Sequence, residues 1–318
     1  MAISSPIREE IKLNTLNNRS SNPLLMVSRI KKLLQRYGIK GSFSFIWHYY
    51  IAWPAPLERY RGFAKVPVHG HTFKFTTRTN HLFRFLHIVF DELREGQREP
   101  GVIYFISQRL RPGDVFLDIG AWIGIYSLLA SRLVGPSGQV YAFEPDPIAR
   151  SNLEENVRLN EAWNVKIVPL GLSDFEGEAI FGGVGFGDSQ IDPQSTVKPF
   201  RAPVTTLDKF CSRNHISPSL VKIDVEGHED AVLRGGKDTL SNPGTDVILE
   251  FHEQKLANKG VNPDSVWRSL FALGKTVFSL DEDWESARSS AIALSPHSRI
   301  RGTTSHLLLT LHTEGGIK

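Results

Sequence analysis

Asp114–Pro147 reads DVFLDIGAWIGIYSLLASRLVGPSGQVYAFEPDP, and this stretch decides the fold. Val115, Phe116, Leu117 and Ile119 form a short apolar run, the pattern of a strand covered on both faces. Gly120 and Gly124 bracket a turn into a helix predicted over 125–133, and Gly135, Pro136 and Gly138 end it. Val140, Tyr141, Ala142 and Phe143 make the next buried strand, with Glu144 at its carboxyl end. In an open parallel sheet that edge is where ligands bind. Glycines let a backbone approach a ligand closely, and a carboxylate such as Glu144 accepts two hydrogen bonds from a ribose diol. The stretch 118–144 therefore predicts a site for a nucleoside-containing ligand.

The ligand's chemistry narrows further. A nicotinamide fold prefers G-x-G-x-x-G, whereas here the glycines are spaced G-x-x-x-G with Trp122 between them. No G-K-[ST] follows, so the turn is not a phosphate loop. Asp118, just before the turn, suits a cationic ligand such as the sulfonium and amino groups of S-adenosylmethionine better than a pyrophosphate. A nicotinamide oxidoreductase remains the alternative reading of the turn, and a non-catalytic protein that only binds S-adenosylmethionine is a third.

Working outward, the alternation of strand and helix continues. Strands are predicted at 165–170, 220–225, 247–251, 276–280 and 306–311, and helices at 152–160, 207–213, 230–239 and 264–272. The fold class is thus α/β, a doubly wound, seven-stranded, mostly parallel sheet whose last two strands pair. Residues 174–204 read as an irregular insertion carrying a hairpin or lid, with five glycines between Gly177 and Gly187. Upstream, Val66–Thr76 alternates around Gly70 as a hairpin, and helices are predicted at 82–93 and 101–110.

A second constellation lies in LVKIDVEGHED, Leu220–Asp230. Val221, Ile223 and Val225 point one way, and Lys222, Asp224 and Glu226 the other. Three ionisable groups in a central strand require pairing or an opening of the sheet into a site. Asp224 and His228 are the candidate catalytic residues, since clustered carboxylates beside a histidine push pKa values apart. Glu250 and His252, at the next strand's end, belong beside them. Asp224, His228, Glu229 and His252 are of metal-ligating types, but their spacing matches no closed zinc pattern, and no metal is expected.

At 318 residues the chain has length for one large domain plus an extension, and a hydrophobic content of 41% is that of a water-soluble core. Net charge is +3, too small to argue for nucleic acid, although residues 1–60 hold nine Lys/Arg against three Asp/Glu. The single Cys211 excludes an internal disulfide and fits a reducing compartment. The polar N-terminus has no basic–apolar–cleavage order, so a cytoplasmic location is expected. Leu24–Tyr37 places apolar residues at helical spacing among basic ones, and Phe43–Trp53 is aromatic-rich but too short to span a bilayer. Residues 24–53 are the candidate for weak contact with a membrane surface; the simpler reading is a helix packed on the domain.

LDIGAWIGIYSLLA, VYAFEPDP, NLEENVRLN, VPLGLSDFEG, VTTLDKF, VKIDVEGHEDAVLRGG and VILEFH, in that order, resemble the FkbM-type methyltransferases of the class I, Rossmann-like fold. The resemblance covers about residues 100–255. It implies S-adenosylmethionine as cofactor and O-methylation of a hydroxyl on a small molecule, sugar or lipid-linked glycan, with no nucleic-acid partner. It places Asp118, Gly120, Ala121 and Gly124 under the methionine part, Glu144 and Pro145 at the ribose, Ser173 and Asp174 near the adenine, and Asp224 facing the methyl and the acceptor. Trp122 departs from the family pattern, which has Asn there: an amide can bond the cofactor's carboxylate, whereas an indole offers one N–H. On this reading residues 1–60 are a basic extension, partly disordered or helical. Residues 61–112 are a hairpin and helices capping the core, and 113–318 are the methyltransferase domain.

Overall fold

The computed structural model describes residues 62–77, 83–182, 189–192, 199–280, 293–297 and 305–311. The basic extension and its membrane-contact segment, 24–53, lie outside the described residues. By packing, the chain divides into two units: Met1–Ala64 with Thr77–Asp91, and Lys65–Thr76 with Glu92–Lys318. Of the first unit, described residues include 62–64, 77 and 83–91, which open a helix. The second holds the central sheet and the site described below.

In chain order the elements are β1 Phe63–Val68, β2 His71–Thr76, α1 Phe83–Arg94, α2 Pro100–Arg109, β3 Val115–Ile119, α3 Ile125–Val134, β4 Gln139–Phe143 and α4 Pro147–Leu159. Then come β5 Val165–Val168, β6 Gly171–Leu172, β7 Gly177–Gly182, β8 Gln190–Ile191, β9 Phe200–Thr205, α5 Leu207–Asn214, β10 Leu220–Ile223, α6 Glu229–Gly235 and α7 Lys237–Ser241. The chain continues with β11 Asp246–Phe251, α8 Glu253–Asn258, α9 Pro263–Phe271, β12 Thr276–Ser279, β13 Ala293–Leu294 and β14 Ser305–Thr310.

The central sheet has the order β13-β12-β14-β11-β10-β3-β4-β5. Strands β11, β10, β3, β4 and β5 run parallel, while β14 pairs antiparallel with both β11 and β12. The expected seven strands are present, and Ala293–Leu294 adds a two-residue eighth on the edge of β12. The chain enters the sheet at β3, runs outward through β4 and β5, then returns to the other side of β3 as β10. The order therefore reverses between β3 and β10, and a crevice opens outside the carboxyl ends of strands at such a reversal.

The two faces of the sheet differ. Leu117, Ile119, Phe143, Val221, Ile223, Val247 and Leu249 pack into one apolar core with Val232, Leu240, Leu256, Val266, Trp267 and Leu270 from α6, α7, α8 and α9. Burying such side chains supplies about 1.5–3 kcal/mol each before entropy is charged against it. Register puts Asp118 beside Lys222, and Lys222 beside Ile248, on the opposite face. Glu250 and His306 are likewise register partners on that face.

Local chemistry sets the helix ends. The helix expected from Asn152 begins at Pro147, because Asp146 caps it: its Oδ1 accepts from Ile148 N–H at 2.7 Å and Ala149 N–H at 3.4 Å. The single helix expected over 230–239 is two short ones, α6 and α7, joined at Gly236. The orphan N–H groups of α7 are met from another element, since Asp208 of α5 accepts from Asp238 at 3.1 Å and Thr239 at 2.8 Å.

The stretch expected to be irregular with a hairpin or lid contributes β7, β8 and β9 to a second sheet, β6-β9-β7-β8, in which β7 pairs antiparallel with β8 and β9. Ala179 and Phe181 of β7 alternate against Ala202 and Val204 of β9 to make a small core of their own. Phe181 and Phe200 stack with ring centroids 5.3 Å apart. The glycine content masked this period-two pattern. The β1–β2 hairpin is as expected and is held to α4 by side-chain amides: Asn160 accepts from Lys74 N–H at 2.8 Å, and Asn156 from Thr76 N–H at 2.7 Å.

Candidate active site

The carboxyl ends of β3, β4, β10 and β11 gather most of the residues singled out above. After β3 the chain turns sharply, with Gly120 at φ +83° and Gly124 at φ +85°. A Cβ on Gly120 would lie 1.8 Å from the Asp224 carbonyl oxygen, and one on Gly124 would lie 2.4 Å from a Leu153 methyl. The space at both glycines is therefore taken by the chain itself. Both positions serve the left-handed turn, and Gly120 allows the close approach of the β3 and β10 ends. Backbone N–H groups of Gly120 and Ala121 both donate to the Phe143 carbonyl, at 3.1 and 3.0 Å, tying the turn to β4. Trp122, buried with φ +50°, adopts a backbone conformation rare for a bulky residue.

Two carboxylates flank this turn. Glu144 is buried, and its Oε2 accepts from the Trp122 backbone N–H at 2.8 Å while Oε1 accepts from Asp146 N–H at 2.9 Å. Burial nevertheless dominates and raises its pKa to about 8, against the opposing pull of those two N–H groups. Asp118 is fully buried; its Oδ2 accepts from Ser127 Oγ at 2.5 Å, and Oδ1 has no partner among the described residues. Burial raises its pKa too, with Lys222 and Ser127 pulling the other way.

Asp224 follows β10, its backbone N–H donating to the Ile119 carbonyl at 2.9 Å. Its Oδ2 accepts from Lys222 Nζ at 3.1 Å, and its Oδ1 is shielded without a partner among the described residues. Burial first, then the Glu250 charge, push its pKa up to about 6, opposed by Lys222 and His252. His252 is buried with Nδ1 2.7 Å from Glu229 Oε1 and Nε2 3.4 Å from both Glu226 and Glu250. Burial alone would lower its pKa, but Glu229, Glu250 and Asp224 outweigh it and raise it to about 10. The imidazole is a cation at neutral pH.

His228 is placed elsewhere. Its Nε2 lies 3.0 Å from Ser173 Oγ, so it joins the expected adenine side rather than Asp224. Burial and the nearby Lys259 lower its pKa. Ser173 is fully buried, Asp174 is bound by Arg234 at 3.0 Å, and Pro145 accepts from Arg150 at 3.0 Å. Ser173 and Asp174 sit hard against α6, where a Cβ on Gly235 would lie 2.0 Å from the Ser173 carbonyl oxygen.

Sequence reasoning missed Glu99, Tyr126 and His306. The Tyr126 hydroxyl donates to Glu99, Arg98 pairs with Glu99 at 3.2 Å, and His306 lies 3.5 Å from Glu99 and 3.7 Å from Glu250. No local pattern marks them, because residues 99, 126 and 306 meet only through the sheet. Two triads, Glu99/Glu250/His306 and Asp224/Glu226/His252, bring ligand-type atoms within 4.8 Å of one another. Cations of the chain already lie on them: Arg98 on Glu99, Lys222 on Asp224 and Lys255 on Glu226. No metal is assigned to either.

A doubly wound sheet with buried acids at the reversal of its strand order is the frame of a nucleoside-cofactor enzyme. The model of the methyltransferase FkbM domain matches residues 118–277, half the chain, and the chain belongs to that family. It is an S-adenosylmethionine-dependent methyltransferase; the nicotinamide alternative is overturned by this match. The chain is 28% identical over 203 residues to the hexuronic acid methyltransferase AglP of Haloferax volcanii, covering 62% of this chain and 79% of that protein. It is 28% identical over 189 residues to the 2-O-methyltransferase NoeI of Sinorhizobium fredii, covering 52% and 76%. Among solved structures, a methyltransferase FkbM from Methylobacillus flagellatus aligns at a TM-score of 0.37 with 15% identity, over 73% of this chain and 55% of that one.

The residues present suit an adenosyl cofactor. Among the described residues Asp118 Oδ1 is buried without a partner, and each oxygen of Glu144 takes a single backbone N–H, leaving a lone pair for a hydroxyl donor. No helix among the described residues is long and apolar enough to cross a membrane.

Proposed function

We propose that this chain methylates a hydroxyl oxygen on a small hydroxylated acceptor, a sugar or a lipid-linked glycan, with Asp224 as the base. The observation that carries this reading is the shielded Oδ1 of Asp224, unpartnered among the described residues, at the point where the strand order reverses. The names of the two curated relatives, a hexuronic acid methyltransferase and a 2-O-methyltransferase, support a sugar-type acceptor.

When bound, S-adenosylmethionine supplies a methyl group already made electrophilic by its cationic sulfur. Asp118 with the turn Gly120, Ala121 and Gly124 holds its methionine part, Glu144 and Pro145 the ribose, and Ser173 and Asp174 the adenine side. His228 fixes Ser173 through their hydrogen bond, a positioning role rather than that of a base. A hydroxyl is a poor nucleophile until its proton is leaving. Asp224 takes that proton at Oδ1, and its raised pKa, about 6, suits a base working near neutrality. The remaining contribution is alignment of the acceptor oxygen in line with the methyl and the sulfur.

The test is methyl transfer by purified protein from labelled S-adenosylmethionine to a panel of uronic acids and simple glycosides. Product NMR identifies the O-methyl ether. Asp224→Asn is expected to lower kcat about 10²- to 10⁴-fold while S-adenosylhomocysteine still binds. Full activity in that variant removes Asp224 from the reaction. Retained binding without turnover in the wild-type protein favours a non-catalytic adenosyl-binding role instead.

A further inference from the structure

Lys222 is the one lysine among the largest fully buried side chains, 1% exposed in the middle of a parallel sheet. A lysine there is costly unless its charge is matched. Its ammonium is held from three sides. Asp224 Oδ2 accepts from it at 3.1 Å, the Tyr126 ring lies under it at 4.7 Å, and Asp118 is its register partner on β3. Tyr126 is itself fixed through its hydroxyl to Glu99. The ring that supports the ammonium is therefore anchored to the segment opening α2.

We propose that Lys222 is a positioning residue: clamped between the Tyr126 ring and Asp224, its ammonium keeps the Asp224 carboxyl ionised, engages Oδ2, and leaves Oδ1 to take the acceptor's proton. This rests on the reading of Asp224 as the base. The proton balance is simple. The acceptor O–H bond breaks, its electron pair stays on the acceptor oxygen, and the proton forms the Oδ1–H bond. Lys222 stays charged throughout and exchanges nothing.

The surroundings explain why such a cation is needed. Glu250 on β11 and Glu99 ahead of α2 act on Asp224 with negative charge, Glu226 lies beside it, Asp118 is the register partner of Lys222, and Tyr126 stands on α3. Opposing them are Lys222 and the His252 imidazolium, the latter tethered by Glu229. His306 and Arg98 are engaged with Glu99 and Glu250 at one remove. Lys222 is the only one of these cations placed on Asp224 itself within hydrogen-bonding distance among the described residues. Burial would lower its own pKa, but Asp224 and Asp118 outweigh that and raise it.

The experiment follows Asp224 directly. In full-length protein with ¹³C-labelled aspartate, the carboxyl titration of Asp224 is compared in wild type, Lys222→Met and Lys222→Arg, with Asp224→Asn to assign the signal. The acid limb of the kcat profile is measured in parallel. Lys222→Met keeps the side-chain length without the charge and is expected to move the Asp224 midpoint up by a unit or more. That shift is a tenfold or greater loss of kcat on the acid limb, and Lys222→Arg is expected to restore most of it. An unmoved midpoint in Lys222→Met overturns the inference. Should that variant not fold, the wild-type protein still decides: the Lys222 ammonium, followed by ¹⁵N NMR, must remain protonated through pH 9, and a neutral amine there overturns it. Full activity of Asp224→Asn instead sinks the assignment of the base, while the titration continues to report on the link between Lys222 and Asp224.

Discussion

Glu144 shows how much of this site is set by single residues. Its carboxyl is buried and, among the described residues, partnered by two backbone N–H groups; burial outweighs them and the pKa rises to about 8. An acid with a raised folded pKa weakens the fold as pH climbs, because the unfolded chain ionises first, near 4.5, and the folded one only near 8. Two ribose hydroxyls would favour the ionised form. Binding of S-adenosylhomocysteine at pH 7 should then release a proton, and Glu144→Gln should abolish that release. Calorimetry in buffers of different ionisation heat measures the proton count; equal counts in both proteins would exclude Glu144 from the ribose contact. Asp118 and Asp224 follow the same logic at the neighbouring strand ends. Both feel the Lys222 charge, but they differ in what donates to them: the Ser127 hydroxyl to Asp118, and the Lys222 ammonium to Asp224.

At the scale of elements, α4 depends on its cap. Asp146 Oδ1 takes two N–H groups of the first turn, and Oδ2 takes the Ser189 hydroxyl from the strand-bearing insertion at 2.5 Å. One side chain thus starts the helix beside Glu144 and fastens the β8 end of the second sheet to it. Asp146→Ala should cost about 1–2 kcal/mol of stability, read as a lower urea midpoint with an unchanged m-value. An unchanged midpoint would mean that the cap is replaced by solvent without loss. The second sheet also shows where reading by local pattern falls short. Its strands β7 and β9 lie far apart in sequence, and only their pairing aligns Ala179 with Ala202 and Phe181 with Phe200.

For the molecule as a whole, the charge network at the carboxyl edge makes stability depend on pH. His252 has a folded pKa of about 10 against an ordinary 6.5, raised by Glu229, Glu250 and Asp224 over the opposing effect of burial. A cation with a raised pKa contributes fully below 6.5, and that contribution is lost as pH rises from 6.5 through 10. Denaturation of the wild-type chain between pH 6.5 and 10 should show stability falling by up to about 1.4 kcal/mol per pH unit from this group. His252→Gln should be less stable at pH 6.5 and flatter across the same range. Parallel curves for the two proteins would place the proton elsewhere in the network.

The amino-acid order alone determined seven of the eight strands described in the central sheet, the turn after β3 and the carboxylates at the strand ends. These are local matters of apolar period, glycine spacing and an acid following an apolar run. Asp118, Glu144, Asp224 and Glu250 were legible for that reason. Tertiary structure alone decided which side chains share a face and meet. Register sets Lys222 beside Asp118, the sheet brings Glu99, Tyr126 and His306 within reach of Glu250 and Lys222, and His228 turns to Ser173 instead of Asp224. Residues separated by dozens of positions carry no mutual signal along the chain. The energy of a buried charge depends on its neighbours in space, which only the packed sheet supplies.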